Sequence, residues 1–144
     1  MSTRDAAIST PDLTDANPAA QALDLQWRNY GGVAGFSGTA VTIKCHEDNS
    51  LVKAAAAEPG EMIAASAADN GWSGFVIGGA VRDVDALAAT AVGIKALGAC
   101  PLRTDKRGEG QRDIAVTLGG VTIAPGDYIY ADNNGVIRSA TALA

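Results

Sequence analysis

The sequence is poor in residues that build metal and disulfide sites, with one histidine and two cysteines in 144 residues. One histidine excludes any metal site that needs two histidines from this chain, and two cysteines cannot form a cysteine-rich zinc site. Basic residues are also in the minority, at 11 Lys and Arg against 16 Asp and Glu. The net charge of −5 argues against a nucleic-acid-binding domain, because neutralising phosphates requires an excess of Lys and Arg.

Long apolar runs are missing as well. No stretch of 18 uncharged apolar residues occurs, so the sequence predicts no membrane-spanning helix. Residues 1–9 lack the apolar core of a secretory signal, and we expect them to be frayed. We therefore expect a cytoplasmic protein in which Cys45 and Cys100 are reduced thiols, with no membrane and no nucleic acid as direct partners. Since 47% of the residues are hydrophobic, residues 10–144 suffice for one domain with its own core.

Turn signals and apolar periodicity predict an α/β chain that becomes purely β near its end. Helices are predicted at Thr10 to Asn17 (with Thr10 as the N-cap), 47–58, 61–69 and 82–91. Strands are predicted within 33–45 (where Val41 and Ile43 face the core), at 75–77 and at 94–97. After a charged loop at 101–113, turns at strand-length spacing predict a β-meander.

One junction breaks the alternation of helices and strands. The helices at 47–58 and 61–69 follow each other directly across Pro59-Gly60, whereas each other helix leads into a strand. Because a parallel sheet with helical crossovers needs a strand between two such helices, a strand is missing at this point of the pattern.

The strongest motif is the stretch VIGGAVRDVDAL at residues 76–87. A buried strand leads through Gly78-Gly79 to Arg82-Asp83 at a helix start, the kind of junction where open α/β sheets bind ligands. The Arg82 guanidinium suits a carboxylate, and the Asp83 carboxylate suits Mg²⁺ or Mn²⁺. The pair therefore suggests an anionic substrate held against a divalent metal. The alternative is an acidic helix start with a surface ion pair.

Two further segments are weaker candidates. Gly60-Glu61-Met62 stands at another predicted helix start, where free N–H groups could hold an anion and Glu61 could supply a second acid; it could also be only a capped helix. The loop from Arg103 to Arg112 carries Lys106, Arg107 and Glu109. It could close over an anionic substrate, or be a solvated loop or subunit contact.

Several mechanisms lack their motif in this sequence. There is no serine nucleophile elbow, no phosphate-binding loop and no dinucleotide fingerprint, and the last absence also argues against methyl transfer to a quinone precursor. His46 is interpreted as a surface residue at a strand end. No lysine lies in an evident apolar pocket that would activate a Schiff-base amine, although Lys95 within its predicted strand stays open for that role.

At this point the motifs show a resemblance to the RraA-like family, which contains regulators of ribonuclease activity and class II 4-hydroxy-4-methyl-2-oxoglutarate aldolases. The matching segments are Asn70-Gly71-Trp72, GGAVRDVDALAATAVGIKALGACP, KRGEGQRD and GGVTIAPGDYIYAD, with TPDLTDAN, FSGTAVTIKC and EDNSLVKAAAAEPGE upstream. The resemblance implies a swivelling β/β/α domain with a central mixed sheet, helices and a C-terminal β-meander. It also implies a homotrimer or a dimer of trimers whose site lies near a subunit boundary.

The same resemblance implies a site. The family signature is an Asp, twenty intervening residues and Arg-Asp; here Glu61 stands in the first position. Asp83 would bind Mg²⁺ or Mn²⁺ directly and Glu61 through water. Arg82 would bind substrate oxygens, and the backbone around Gly60 and Met62 the pyruvate carboxylate. Family members also have a strand and a glycine-rich turn before the Gly-acid pair, which this chain lacks.

Two functions follow from the resemblance. The first is metal-dependent cleavage of 2-oxo-4-hydroxy acids to pyruvate with decarboxylation of oxaloacetate, in which Glu61 and Asp85 are candidates for the general base. The second is a non-catalytic regulator that binds and inhibits a ribonuclease, for which an acidic surface is suited.

Overall fold

A computed structural model describes residues 8–44, 69–102 and 110–143. Two helices and thirteen short strands lie wholly within these residues. The helices are α1 (Thr10–Ala16) and α2 (Val84–Ala88). In chain order the strands are β1 (Gln21–Ala22), β2 (Arg28–Asn29), β3 (Phe36–Thr39), β4 (Ile43–Lys44), β5 (Gly74–Val76), β6 (Ala80–Val81), β7 (Gly93–Ala96), β8 (Gly98–Ala99), β9 (Gln111–Arg112), β10 (Val116–Leu118), β11 (Val121–Ile123), β12 (Tyr128–Asp132) and β13 (Gly135–Ser139).

Helix α1 forms where it is predicted, but its N-cap lies one residue earlier. The Ser9 hydroxyl accepts a hydrogen bond from the Asp12 N–H at 3.4 Å, as an N-cap side chain does. Thr10 is the first residue of the helix, and its hydroxyl donates to Asp132. The helix ends at Ala16, and Asn17 is its C-cap, since the residue before Pro18 disfavours helical backbone.

An antiparallel sheet in the order β1-β13-β12-β3 joins the end of the chain to its beginning. Tyr130 on β12 lies opposite Ile137 on β13 and opposite Ser37 on β3. The strands β10 and β11 form a separate hairpin around Gly119-Gly120, whose positive φ angles of 56° and 78° suit a tight turn between twisted strands. The C-terminal third is therefore β, as predicted, and it is divided into two hairpins.

A mixed sheet in the order β2-β7-β5 positions the strongest sequence motif. Strand β2 runs antiparallel to β7, whereas β5 is parallel to β7 and reaches it through α2. The parallel pairing continues from β5 and β7 into β6 and β8. Val76 lies opposite Lys95 and Ala80 lies opposite Gly98, so the first strand has one residue more between these pairs. This bulge falls at Gly78-Gly79, which are the residues predicted to let the backbone turn.

The buried side chains form two clusters on opposite sides of the mixed sheet. The first lies between the sheets and contains Leu23, Phe36, Val121, Ile123, Ala131 and Val136, and the second, beside α2, contains Leu87, Val92 and Ile94. Val76 of β5 packs against the first cluster, and Phe75 and Ile77 pack against the second. The strand predicted at 75–77 therefore forms, at Gly74–Val76, with apolar contacts on both sides, but it is half-buried and not buried as predicted.

The predicted core-facing pattern near residue 41 is wrong. Val41 is 41% exposed and Thr42 is only 4% exposed. The Thr42 hydroxyl donates to the Ile114 carbonyl at 2.5 Å, and the Thr42 carbonyl accepts from the Asp113 N–H. The first of these hydrogen bonds satisfies a polar side chain in a buried position, which outweighs the apolar alternation.

Other predictions are shorter than expected or lie outside the described residues. The helix that starts after Asp83 ends at Ala88, not Ala91, and the Asn70-Gly71 turn is confirmed by a φ of 80° at Gly71. The predicted helix at 47–58 lies outside the described residues, as does all but the end of the one at 61–69. No helix in the described part of the chain is long and apolar enough to cross a membrane.

Candidate functional site

Arg82 and Asp83 lie where β6 passes into α2, and the neighbouring strand fixes this junction. The Cys100 N–H donates to the Val81 carbonyl at 2.8 Å, immediately before Arg82. The Leu97 N–H donates to the Gly79 carbonyl at 2.9 Å, at the end of the bulge. The backbone that leads to the two charged residues is thus held by hydrogen bonds from the residues on either side of β8.

Asp83 has an unusual backbone for the residue that begins a helix. Its φ of 61° and ψ of 44° lie in the left-handed region, which most residues other than glycine avoid. Its carbonyl accepts from the Leu87 N–H at 2.9 Å and so begins the helix, but its side chain makes no capping hydrogen bond. An Asp that begins a helix normally caps it with its carboxylate. The Asp83 carboxylate is therefore not used to hold the helix.

The two side chains are neighbours but are not locked together. Arg82 Nε lies 3.6 Å from Asp83 Oδ2, and the side chains are 45% and 59% exposed. An exposed ion pair of this length contributes little to stability. A ligand can therefore separate the pair at small cost, which leaves a guanidinium for an anion and a carboxylate for a cation at one place.

The remaining predicted site residues cannot be placed relative to this pair. Gly60, Glu61 and Met62 lie outside the described residues, so their assignment to substrate and metal stays a prediction. The same holds for residues 103–109 of the charged loop, including Lys106, Arg107 and Glu109. Asp85 lies in the first turn of α2, two residues from Asp83.

Lys95 lies in the centre of the mixed sheet and away from solvent. It is 1% exposed, and it stands two residues after Gly93, whose missing Cβ would meet Phe36. Because residues two apart in a strand face the same way, Lys95 also faces the space between the sheets. Burial lowers the pKa of Lys95, and the negative charge of Asp132 offsets this only partly. The amine is thus buried away from any substrate in solution.

The described residues offer single carboxylates, and no cluster of ligands, to a metal ion. They contain no group of three or more His, Cys, Asp or Glu side chains that could hold an ion together. A single carboxylate such as Asp83 fits Mg²⁺ or Mn²⁺, because Mg²⁺ keeps several waters and uses one or two carboxylates. It does not fit zinc, which takes three or four protein ligands.

A second Arg-Asp pair, which the sequence pattern did not mark as a separate candidate, repeats this local geometry. Asp113 has a φ of 60°, and Arg112 Nε lies 3.7 Å from Asp113 Oδ2. Asp83 and Asp113 are the two non-glycine residues with positive φ in the described part of the chain. The Arg-Asp dipeptide occurs at residues 82–83 and again at 112–113, and this repetition was the sequence signal for the second pair.

The structure also has a cleft of about 230 Å³, but it lies elsewhere. It is formed by α1, β1 and β13, and its lining includes Thr14, Leu25 and Trp27 but no ionisable side chain. A doubly charged oxo acid needs cationic partners, so this cleft is not the site predicted from the sequence.

Comparisons with known proteins bear on this site. The family model described as RraA-like, Aldolase/RraA, matches residues 54–138, which include Arg82 and Asp83. A protein of Ectopseudomonas mendocina named "Putative 4-hydroxy-4-methyl-2-oxoglutarate aldolase" is 48% identical, covering 93% of this chain and 95% of the relative. This chain belongs to the RraA-like family. A Pseudomonas fluorescens protein with the same name is 49% identical, covering 93% of this chain and 94% of its own.

Solved structures confirm the RraA-like fold. A Geobacillus kaustophilus structure described as an S-adenosylmethionine:2-dimethylmenaquinone methyltransferase has a TM-score of 0.90 and 32% identity, over 94% of this chain and 96% of that one. The RNA-processing inhibitor RraA from Thermus thermophilis has a TM-score of 0.86 and 32% identity, over 92% of this chain and 93% of that one. The predicted α/β class, with a central mixed sheet, is thereby confirmed.

The RraA-like chain is shorter than its relatives within the matched region. The alignment with the E. mendocina protein runs over 154 positions, whereas 93% of this chain is about 134 residues. About 20 aligned positions therefore have no residue in this chain. This is the size of a strand with its turn and part of a helix, consistent with the strand that the sequence pattern lacks before Glu61.

Proposed function

We propose that this RraA-like protein is a divalent-metal-dependent lyase that cleaves 2-oxo-4-hydroxy acids of the 4-hydroxy-4-methyl-2-oxoglutarate type to pyruvate, and that it also decarboxylates oxaloacetate. The observation that carries the proposal is the Asp83 carboxylate, which begins a helix without capping it and lies 3.6 Å from the Arg82 guanidinium. The names of the bacterial relatives at 48–49% identity support the same chemistry.

The cleavage produces negative charge, which the site has to stabilise. Breaking the bond between C3 and C4 leaves its electron pair on the pyruvate part, where the charge spreads to the 2-oxo oxygen, while the 4-hydroxyl loses its proton. Arg82 binds oxygens of this part and offers a permanent positive charge to them. When bound by Asp83, Mg²⁺ or Mn²⁺ supplies a Lewis acid for the 2-oxo group.

Other residues of the chain complete the proposal. Backbone N–H groups around Gly60 and Met62 bind the carboxylate of the pyruvate part. Glu61 and Asp85 are the candidates that take the proton from the 4-hydroxyl. A homotrimer or dimer of trimers in the cytoplasm belongs to the same proposal, since a neighbouring chain then contributes to the site.

Release of pyruvate tests the proposal directly. We expect pyruvate from 4-hydroxy-4-methyl-2-oxoglutarate and from oxaloacetate with Mg²⁺ or Mn²⁺, and its loss when a chelator is added. Asp83→Asn should lower kcat/KM by about 100-fold or more, because it removes the anionic ligand but tolerates the left-handed backbone. Asp113→Asn is the matched control, since it makes the same change in the other Arg-Asp pair. Absence of metal-dependent pyruvate release from both substrates would refute the proposal.

A second function is favoured by a separate observation. About 20 aligned positions of the relatives are missing, and a regulator that works by surface contact does not need a complete pocket. The similarity to the Thermus RNA-processing inhibitor and the net charge of −5 suit a protein that covers the basic surface of a ribonuclease. Inhibition of an RNase E-type enzyme by both the wild type and Asp83→Ala would support this function. If neither protein inhibits the enzyme, this function is excluded.

We do not propose for this chain the methyl transfer that the description of the Geobacillus structure names. The sequence has no glycine-rich nucleotide loop followed by an acidic ribose ligand. The likeness to that structure supports the fold alone.

A further inference from the structure

The bulge at Gly78-Gly79, which leads to Arg82 and Asp83, has no side chain of its own to hold it in place. Glycine has no Cβ and adopts many backbone conformations, so the direction of the strand that follows depends on contacts from neighbouring elements. At one edge, the Leu97 N–H donates to the Gly79 carbonyl at 2.9 Å. The face of the bulge requires a separate contact.

Leu118 makes this contact from the β10–β11 hairpin. A Cβ on Gly78 would lie 2.5 Å from Leu118 Cδ2 and 3.8 Å from its Cγ. Apart from the adjacent residues, no other atom of the described chain lies within 4 Å of that position, and none lies within 4 Å of a Cβ on Gly79. The Leu118 side chain therefore fills the space that a side chain at residue 78 would occupy.

The hairpin that carries Leu118 is itself anchored at two places. Leu118 lies opposite Val121, which is 5% exposed, and both contribute to the cluster between the sheets. The Gly119 carbonyl at the tip accepts from the Asp24 N–H at 3.1 Å, which joins the hairpin to the segment after β1. The contact with Gly78 thus comes from a fixed neighbour and can restrain the bulge.

We infer that Leu118 is a positioning residue for the Arg82-Asp83 junction, because it holds the bulge from which β6 leads to this pair. Bulges next to functional sites redirect the side chains that follow them. Strand β6 has only two residues, so a shift at Gly78 reaches Arg82 over a short distance. A displacement of about 1 Å in a site can lower the rate of a reaction by about 100-fold. The inference rests on the proposed lyase function, in which Arg82 and Asp83 bind substrate and metal.

Hydrogen exchange tests the restraint without any assay of activity. In Leu118→Ala, the amides of Leu97 and Cys100 should exchange about tenfold faster than in the wild type, since their acceptors lie on the released bulge and on β6. Val116→Ala is the matched control, because Val116 packs on the same cluster from the same strand but does not lie over Gly78. Unchanged exchange in Leu118→Ala, or equal acceleration in both variants, would overturn the inference.

A complementary substitution gives a second test that does not depend on the single variant alone. Gly78→Ala added to Leu118→Ala places a methyl group in the vacated space, and Gly78 lacks the positive φ that would strain alanine. The double variant should regain slow exchange at Leu97 and Cys100, whereas Gly78→Ala alone should disturb the junction because its methyl group meets Leu118. A double variant that exchanges as fast as Leu118→Ala would contradict the restraint.

Release of pyruvate from oxaloacetate connects the restraint to the site. The kcat of Leu118→Ala should be about tenfold below that of the wild type and should recover in the double variant, whereas Val116→Ala should stay close to the wild type. A loss caused by unfolded protein would not be recovered by the second substitution. Faster exchange with an unchanged kcat would overturn the positioning role. A wild type without metal-dependent pyruvate release would refute the proposed function, and unchanged exchange in an active protein would refute this inference alone.

Discussion

Thr10 donates two hydrogen bonds to Asp132, from its backbone N–H to Oδ2 and from its hydroxyl to Oδ1, each at 2.8 Å. Asp132 ends β12 and also accepts from the Asn134 N–H at 2.8 Å, so one buried carboxylate joins α1 to the turn between the last two strands. Burial alone would raise the pKa of Asp132, but these hydrogen bonds outweigh it and hold the pKa below its usual value.

Asp132→Asn should lower the free energy of unfolding by about 1–3 kcal/mol, because an amide offers one acceptor oxygen where the carboxylate offers two. Urea unfolding at neutral pH measures the change. Asp15→Asn on the exposed side of α1 is the control, and it should stay within about 0.5 kcal/mol of the wild type. Equal stability of the two variants would show that the Thr10 contact does not hold the helix.

Acid should destabilise the protein through a second carboxylate as well. A hydrogen bond from Arg138 Nε at 2.8 Å lowers the pKa of Asp127, and burial, which raises it, is the smaller effect. A lowered folded pKa stabilises the fold above the unfolded value of about 3.9, and this contribution is lost as the pH falls through the folded pKa.

Urea unfolding between pH 7 and 3 should therefore show Asp127→Asn as less stable at neutral pH, with the two stability curves converging as the solution is acidified. The exposed Asp24→Asn should follow the wild-type curve. A constant difference between Asp127→Asn and the wild type at every pH would contradict the role of the ionised carboxylate.

Replacement of Lys95 by an apolar side chain should stabilise the protein. Burial lowers the pKa of Lys95 below 10.5, so the unfolded chain binds this proton more tightly, and the stability of the wild type rises with pH toward that value. Lys95→Met fills a similar volume without a buried amine and should raise the free energy of unfolding at pH 7 by about 1–4 kcal/mol. The gain should shrink as the pH approaches 10. Lys44→Met, at an exposed position, should change little, and destabilisation by Lys95→Met would show a required partner for the amine.

The close approach of Phe36 to the mixed sheet gives another prediction. A Cβ on Gly93 would meet Phe36 Cδ1 and would lie 2.5 Å from Cε1 and 2.7 Å from Cγ. Gly93→Ala should therefore cost about 1–3 kcal/mol of stability, and adding Phe36→Leu should restore part of it. At Gly79 no atom lies within 4 Å of such a Cβ, so Gly79→Ala is the matched control in thermal unfolding. Equal melting temperatures for Gly93→Ala and Gly79→Ala would mean that the Phe36 ring moves aside for the added methyl group at no cost in stability.

The sequence predicts correctly those turns and element starts that depend on residues close to each other in the chain. The Gly119-Gly120 turn, the β segments after residue 113 and the helix start after Asp83 follow from residues close in sequence. The burial of Thr42 does not, because its partner Ile114 is 72 residues away. The hydrogen bond from the Thr10 hydroxyl likewise goes to a residue 122 positions away, Asp132.

The candidate site shows the same division. The sequence placed Arg82 and Asp83 side by side between a strand and a helix, and the structure confirms that placement, although the strand before them is not buried. It could not show that the Asp83 carboxylate leaves its helix uncapped, since that accompanies the left-handed backbone of Asp83, which the residue type does not predict. Nor could the alternation of residues reveal that Lys95 is buried at a position opposite Val76.

Asp83 and Asp113 both have a left-handed backbone, so the same substitution at each position distinguishes an effect on metal binding from an effect of backbone strain. Glycine adopts a positive φ without steric penalty, so Asp83→Gly and Asp113→Gly should both fold and should keep or slightly raise the thermal stability. Titration with Mn²⁺ alone, followed by electron paramagnetic resonance, should show binding weakened at least tenfold in Asp83→Gly and unchanged in Asp113→Gly. The two variants alter the same kind of Arg-Asp pair at the same backbone angle, so a difference between them reports the carboxylate at residue 83 and not the relief of strain. Equal Mn²⁺ affinity in both variants and the wild type would remove Asp83 from the metal site.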